Sequence, residues 1–299
     1  MTRLASNIPA RLGGTVSLYP WQWQGKSVAI ATETLGQGDP VLLLPSLSTV
    51  SCRAELTALA QGLAAQFQVT VLDWPGFGDS DRLRLDYGPD LLYRCLQDWV
   101  GDRDEPLRAV VAAGHAAGYA LSLGESCRKQ VLIAPTWRGP LAVMGLPDTV
   151  RQGIRTLVRS PLMGSALYGL NTQPGFLKWM YRRHVFTDPE RLTPDYIAQR
   201  HQGTQAAGAR YGPGSFVTGG LDPVASRADF LALLAQNPMP TLIVIGEQVP
   251  PGSRAEMEAM ATARLPQVSA VTRPGTLGMA EEFGADLVPL VRSFLQMPA

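Results

Sequence analysis

Few side chains in this 299-residue chain are equipped for imidazole or thiol chemistry. Histidine occurs at His115, His184 and His201, and cysteine at Cys52, Cys95 and Cys127. The cysteines show neither a C-x-x-C pair nor the Cys/His spacing of a zinc site, so no disulfide framework or metal centre is expected. His184 and His201 stand beside Arg182, Arg183 and Arg200, with no carboxylate or thiol spaced to complete a ligand set. No cofactor is expected. From residue 202 onward there is no imidazole, so the last third of the chain cannot supply a histidine base. One glycine-bracketed pentapeptide stands out, Gly114-His115-Ala116-Ala117-Gly118, directly after an apolar run.

The elements around these residues read as alternating strands and helices. Strands are predicted over 15–21, 27–34, 40–44, 68–72, 107–112, 130–134, 241–245 and 267–272, the first two joined by a turn at Gln24-Gly25. The runs VLLL, VTVL, AVVAA, VLIA and LIVI are continuously apolar and bounded by Gly or Pro, which suits parallel strands buried on both faces. Helices are predicted over 53–66, 89–101, 116–127, 253–264 and 285–296, with Ser253 as N-cap and Glu256 as its capping-box partner. The alternation breaks between about 141 and 237, where the pattern is helical with Gly/Pro interruptions. That stretch holds ten basic against six acidic residues, so it is mildly basic. The expected organisation is an α/β core from 1–140 and 238–299, with 141–237 as a helical cap.

Formal net charge is only +1, which excludes nucleic-acid binding by bulk charge. No apolar run approaches the ~18 residues of a membrane span, and the N-terminus lacks the apolar stretch of a secretory signal. A cytoplasmic protein is expected, one that could touch a membrane peripherally.

Two motifs carry a resemblance. The turn Asp73-Trp74-Pro75-Gly76-Phe77-Gly78-Asp79-Ser80-Asp81-Arg82 resembles the D-x-x-G-x-G-x-S-D turn of α/β-hydrolases. The pentapeptide at 114–118 resembles their G-x-S-x-G nucleophile elbow. Leu44-Pro45-Ser46-Leu47-Ser48 stands where the family carries its oxyanion loop, and the helical stretch stands at the family's usual insertion site. Trp21-Gln22-Trp23-Gln24-Gly25 is similar to chloroplast-type hydrolases near pheophytinase. The resemblance implies an α/β-hydrolase fold, an eight-stranded mostly parallel sheet with a helical cap inserted after strand six.

It also implies a catalytic triad, and the matching positions lack one. The nucleophile position matches Ala116, a methyl group that cannot attack a carbonyl. The acid position, in Gly246-Glu247-Gln248-Val249, matches Val249. The histidine position, in Pro274-Gly275-Thr276-Leu277-Gly278, matches Gly278. What the resemblance leaves is an oxyanion hole from the N–H groups of Leu47 and Ala117.

The expected function is therefore binding without catalysis, toward a protein partner or an apolar small molecule. Ser46, His115, Trp137, Arg138, Tyr211, Phe216 and Met279 are candidates for a retained ligand pocket. The alternative is an enzyme of atypical mechanism, lyase-like or hydrolytic without a triad, working from Ser46, His115 or cap residues. A segment rich in aromatic and basic residues, 176–186, admits two readings. Its aromatics cover the pocket while its arginines are solvated, or Lys178, Trp179, Arg182 and Arg183 form a docking surface for a membrane or an acidic partner.

Overall fold

The computed structural model describes residues 8–160 and 163–298. The first seven residues, part of the stretch read as lacking a secretory signal, lie outside the described residues. Eight strands form one sheet: β1 (Thr15–Trp23), β2 (Lys26–Leu35), β3 (Pro40–Leu44), β4 (Gln68–Leu72), β5 (Ala109–Ala113), β6 (Gln130–Ile133), β7 (Thr241–Gly246) and β8 (Val268–Arg273). Their order is β1-β2-β4-β3-β5-β6-β7-β8. Only β2 runs antiparallel to its neighbours, and every other pairing is parallel.

The apolar runs explain this layout. β3, β5, β6 and β7 are buried at every position, as strands covered on both faces must be. β8 ends the sheet and leaves Ser269, Ala270, Thr272 and Arg273 exposed, a short polar edge that discourages further pairing. The β1–β2 hairpin turns at Gln24 and Gly25, both at positive φ, as a two-residue hairpin requires.

Two groups of helices cover the sheet. α1 (Thr57–Leu63) packs on α12 (Gly284–Gln296), while α2 (Pro89–Gly101), α3 (Ala116–Leu121), α10 (Arg227–Gln236) and α11 (Pro251–Ala261) contact one another in series. In α2 the buried residues Leu91, Leu92, Cys95, Leu96 and Trp99 form one helical stripe, and Pro89 starts the first turn. Between β6 and β7 the chain leaves the sheet for α4 (Pro140–Val143), α5 (Asp148–Arg159), α6 (Met163–Asn171), α7 (Pro174–Met180), α8 (Pro194–Thr204), α9 (Tyr211–Val217) and α10. Leu177, Tyr181, Phe186, Leu192 and Ile197 make a small core of this excursion, and Val50 from the loop after β3 joins it.

Three helix predictions change. The stretch 53–66 begins as a 3-10 turn, Arg53–Leu56, whose Arg53 side chain is fully buried, and its helix ends at Leu63. The Arg53 guanidinium meets Glu33, Asp73 and Asp79. The helix predicted to Cys127 stops at Leu121, and Gly124 at φ 48° bends the chain into a short 3-10 turn. α11 begins at Pro251, so Ser253 lies inside its first turn and caps nothing. Glu256 bonds instead to Arg227 and to Trp137 Nε1.

The motif at 73–82 wraps the buried Asp73 carboxylate. It accepts from the backbone N–H groups of Arg53 (2.6 Å) and Asp79 (2.8 Å). Gly78 stands at φ 52°, and a Cβ there would lie 2.1 Å from the Asp73 carboxyl carbon. Both facts demand glycine.

Candidate functional site

Parallel strands bring their following loops to one end of the sheet, where open α/β folds place their sites. The loop after β5 is the sharpest of these. Its residue in the left-handed region is Gly114 (φ 52°), after which His115 is already right-handed and α3 starts at Ala116. The Gly114 N–H donates to Ile133 O (2.9 Å), while Gly114 O accepts from Ala117 N–H (3.2 Å) and Thr136 N–H (3.1 Å). A Cβ built on Gly114 would lie 3.0 Å from Ser46 Cβ and 4.0 Å from Thr136 Oγ1. Gly114 thus faces the gap between the loops after β3 and β6.

The tip of the turn thus stands two residues before the position that the motif matched. Ala116 is fully buried in the first turn of α3, not at the tip. The physical reason is the extent of the strand: β5 pairs with β6 through Ala113↔Ile133, so the reversal must follow at Gly114. Gly118 has a packing reason instead, since a Cβ there would meet Pro223 at 2.4 Å. The Ala117 N–H closes the turn onto Gly114 O, which removes it as an oxyanion donor. Leu47, buried after β3, has no hydrogen bond to its N–H among the described residues.

The other two matched positions carry no catalytic group. Val249 is buried in the loop after β7. That loop is stitched to the loop after β8: Gln248 N–H donates to Gly275 O (2.9 Å), and Gly275 N–H donates to Gln248 Oε1 (2.6 Å). Gly278 donates its N–H to Val185 O (3.2 Å), and Thr276 Oγ1 donates to His184 O (3.1 Å). The excursion therefore closes over the last loop with backbone carbonyls, while the His184 side chain is exposed.

None of the three imidazoles reaches the tip. His115 turns beneath it, with Nε2 2.9 Å from Leu221 O and 3.4 Å from Asp222 Oδ1, its ring edge-on to Phe216. His201 Nδ1 is 2.8 Å from Thr172 O. His184 lies edge-on to Trp179.

The residues expected to line one pocket are dispersed. Trp137 and Arg138 border a groove of about 890 Å³, shared with Arg151, Asp222, Arg227 and Glu256. Tyr211 borders another, of about 770 Å³, with Arg11, Cys52, Arg82 and Arg200. Neither groove is lined by Gly114, Ser46 or Leu47. Met279 is fully buried, and Phe216 is half-buried against His115. Among the described residues, no group of three or more His, Cys, Asp or Glu side chains is placed to hold a metal ion.

A polar cluster that the sequence reading missed lies beside Ser46. The buried Glu55 carboxylate is 3.4 Å from Ser46 Oγ and 3.3 Å from Ser51 Oγ. Burial pushes its pKa up to about 8, with the Glu281 charge adding and Arg200 opposing. Glu281 accepts from Arg200 and from Tyr196 OH (2.8 Å), and Arg200 also reaches Cys52 Sγ (3.4 Å). Burial raises the Cys52 thiol to about 11, which disarms it as a nucleophile. The sequence signal for Glu55 is slight: it is the one acidic residue of the stretch 53–66.

The sheet order, the single antiparallel strand and the helical excursion after β6 define an α/β-hydrolase fold. The chain belongs to the alpha/beta hydrolase family, whose family model matches residues 41–286. No curated protein matches it. Among solved structures it is similar to a bromoperoxidase from Bacillus anthracis, with 16% identity over 94% of this chain and 100% of that one, TM-score 0.71. A thermophilic esterase from Thermogutta terrifontis aligns with 19% identity over 94% and 98%, TM-score 0.67. An enol-lactonase from Burkholderia xenovorans aligns with 14% identity over 90% and 97%, TM-score 0.68. At these identities the likeness is one of fold.

Proposed function

We propose that this chain is a non-hydrolytic member of the family that works by binding, with helices α4–α10 as a cap over the sheet core. The observation that carries the reading is Gly114. The tip of the turn after β5, where a nucleophile would be displayed, holds a residue without a side chain. Either register, Gly114 or Ala116, offers no hydroxyl, thiol or carboxylate, and acyl transfer by a side chain requires one. The loop after β8 supplies no base, because it contains no imidazole and Thr276 is committed to His184 O. Ser46 stands close enough to crowd any side chain added at the tip. The ligand is a protein partner or an apolar small molecule. Turnover of short-chain esters and lactones tests the reading. No hydrolysis above the buffer rate is expected, and measurable turnover that survives repurification overturns it.

One observation favours a second reading, an enzyme of atypical mechanism. Glu55 has a pKa near neutrality and lies beside the Ser46 hydroxyl, the charge state a proton-transfer group needs. A Ser46 that reacts with an acylating probe in the native chain but not in Glu55→Gln supports it.

A further inference from the structure

The outer helices of the excursion have a chemistry that the site does not use. Residues 149–187 contain six Arg or Lys and not one Asp or Glu. Within that stretch α6 has no charged residue at all. Eight large apolar side chains are exposed among the described residues, and seven of them fall between Val143 and Trp179. Scattered exposed apolar residues are ordinary, whereas their concentration in one part of the chain singles out a candidate interaction surface.

The spacing gives that surface a direction. Met163 and Leu170 are seven residues apart on α6, two helical turns, so both lie on one face. They are 59% and 68% exposed. Phe176 and Trp179 are three apart on α7, with ring centroids 5.7 Å from each other. Trp179 is 57% exposed. Of the 176–186 segment, Tyr181 and Phe186 are buried as cap aromatics, whereas Phe176 and Trp179 project outward. These four outward side chains line none of the grooves described above. Lys178, Arg182 and Arg183 are exposed beside them and form no ion pair among the described residues.

We infer that the α6–α7 face seats the protein on an anionic lipid bilayer. Met163, Leu170, Phe176 and Trp179 would enter the headgroup boundary, and Lys178, Arg182 and Arg183 would meet lipid phosphates. A protruding apolar and aromatic ridge flanked by cations is what an interfacial helix pair presents. Within 149–187 the chain itself places no carboxylate against an anionic surface. Among the described residues no helix is long and apolar enough to cross a membrane, so contact is from the side. The inference is separate from the reading of Gly114 and stands or falls without it.

Co-sedimentation of the full chain with phosphatidylcholine vesicles, with and without phosphatidylglycerol, tests it. Binding is expected to the phosphatidylglycerol vesicles at low salt, and salt should weaken it. The variant Lys178→Gln/Arg182→Gln/Arg183→Gln should lower the partition coefficient about tenfold or more. Phe176→Ser/Trp179→Ser should lower it comparably, while thermal melts confirm that both variants stay folded. Failure of the wild-type chain to pellet with anionic vesicles at low salt overturns the proposal. So does pelleting that neither variant alters. Binding to soluble polyglutamate without vesicle binding would assign the face to an acidic protein instead, and also overturns it.

Discussion

Gly114 and Ser46 oppose each other across the tip of the turn after β5, and a Cβ on Gly114 would come within 3.0 Å of Ser46 Cβ. The contact joins the end of β5 to the loop after β3. A side chain displayed there would crowd Ser46, and the left-handed backbone at Gly114 disfavours any other residue.

Gly114→Ser is therefore expected to destabilise the chain by roughly 1–2 kcal/mol, the cost of a left-handed non-glycine residue. On the binding reading it should not create esterase activity, because the positions matched to acid and base hold Val249 and Gly278. Ala116→Ser should be equally inactive, since its hydroxyl would sit in the buried first turn of α3. A thermal melt and an ester assay of the two variants check both statements.

Arg53 ties β2 to the 73–82 loop. Its side chain is fully buried against the equally buried Glu33 and Asp73. Arg53→Met should cost about 3–5 kcal/mol, because it strands buried carboxylates without a counter-charge. Urea unfolding measures this, and a loss under about 1 kcal/mol would contradict the network's role.

Glu55 gives stability a pH dependence with a definite sign. Its folded pKa near 8 is well above the unfolded glutamate value of about 4.3. Between those values the folded state holds a proton that the unfolded chain releases. The Glu55 contribution is thus complete below about pH 4.3 and is lost as pH rises toward 8. One proton corresponds to a slope of about 1.4 kcal/mol per pH unit. Glu55→Gln stays uncharged and should flatten the stability curve across that window. Ser46, Ser51, Arg200 and Glu281 face the group, so chemical denaturation of wild type and variant must be compared at each pH.

The strands were legible because burial on both faces forces continuous apolar runs: β3 and β4 begin and end where the sequence indicated. α2 was equally legible, its apolar stripe and Pro89 start being local signals. The register of the turn at 114–118 was not. Gly114 and Gly118 both fit the elbow pattern, and only the length of β5 pairing decides which one reverses the chain. The Glu55 cluster was hidden for another reason. Arg200 and Glu281 are 81 positions apart, and nothing local to either predicts their meeting. Ser253 looked like a cap until Pro250 and Pro251 set the helix start earlier.

The central claim is that no side chain of this fold acts as an acyl-accepting nucleophile. Incubation of the native chain with a fluorophosphonate, followed by intact-mass measurement, addresses it most directly. A binding scaffold keeps its unmodified mass at every time point. A stoichiometric adduct on a serine, Ser46 above all, would show a working nucleophile and contradict it.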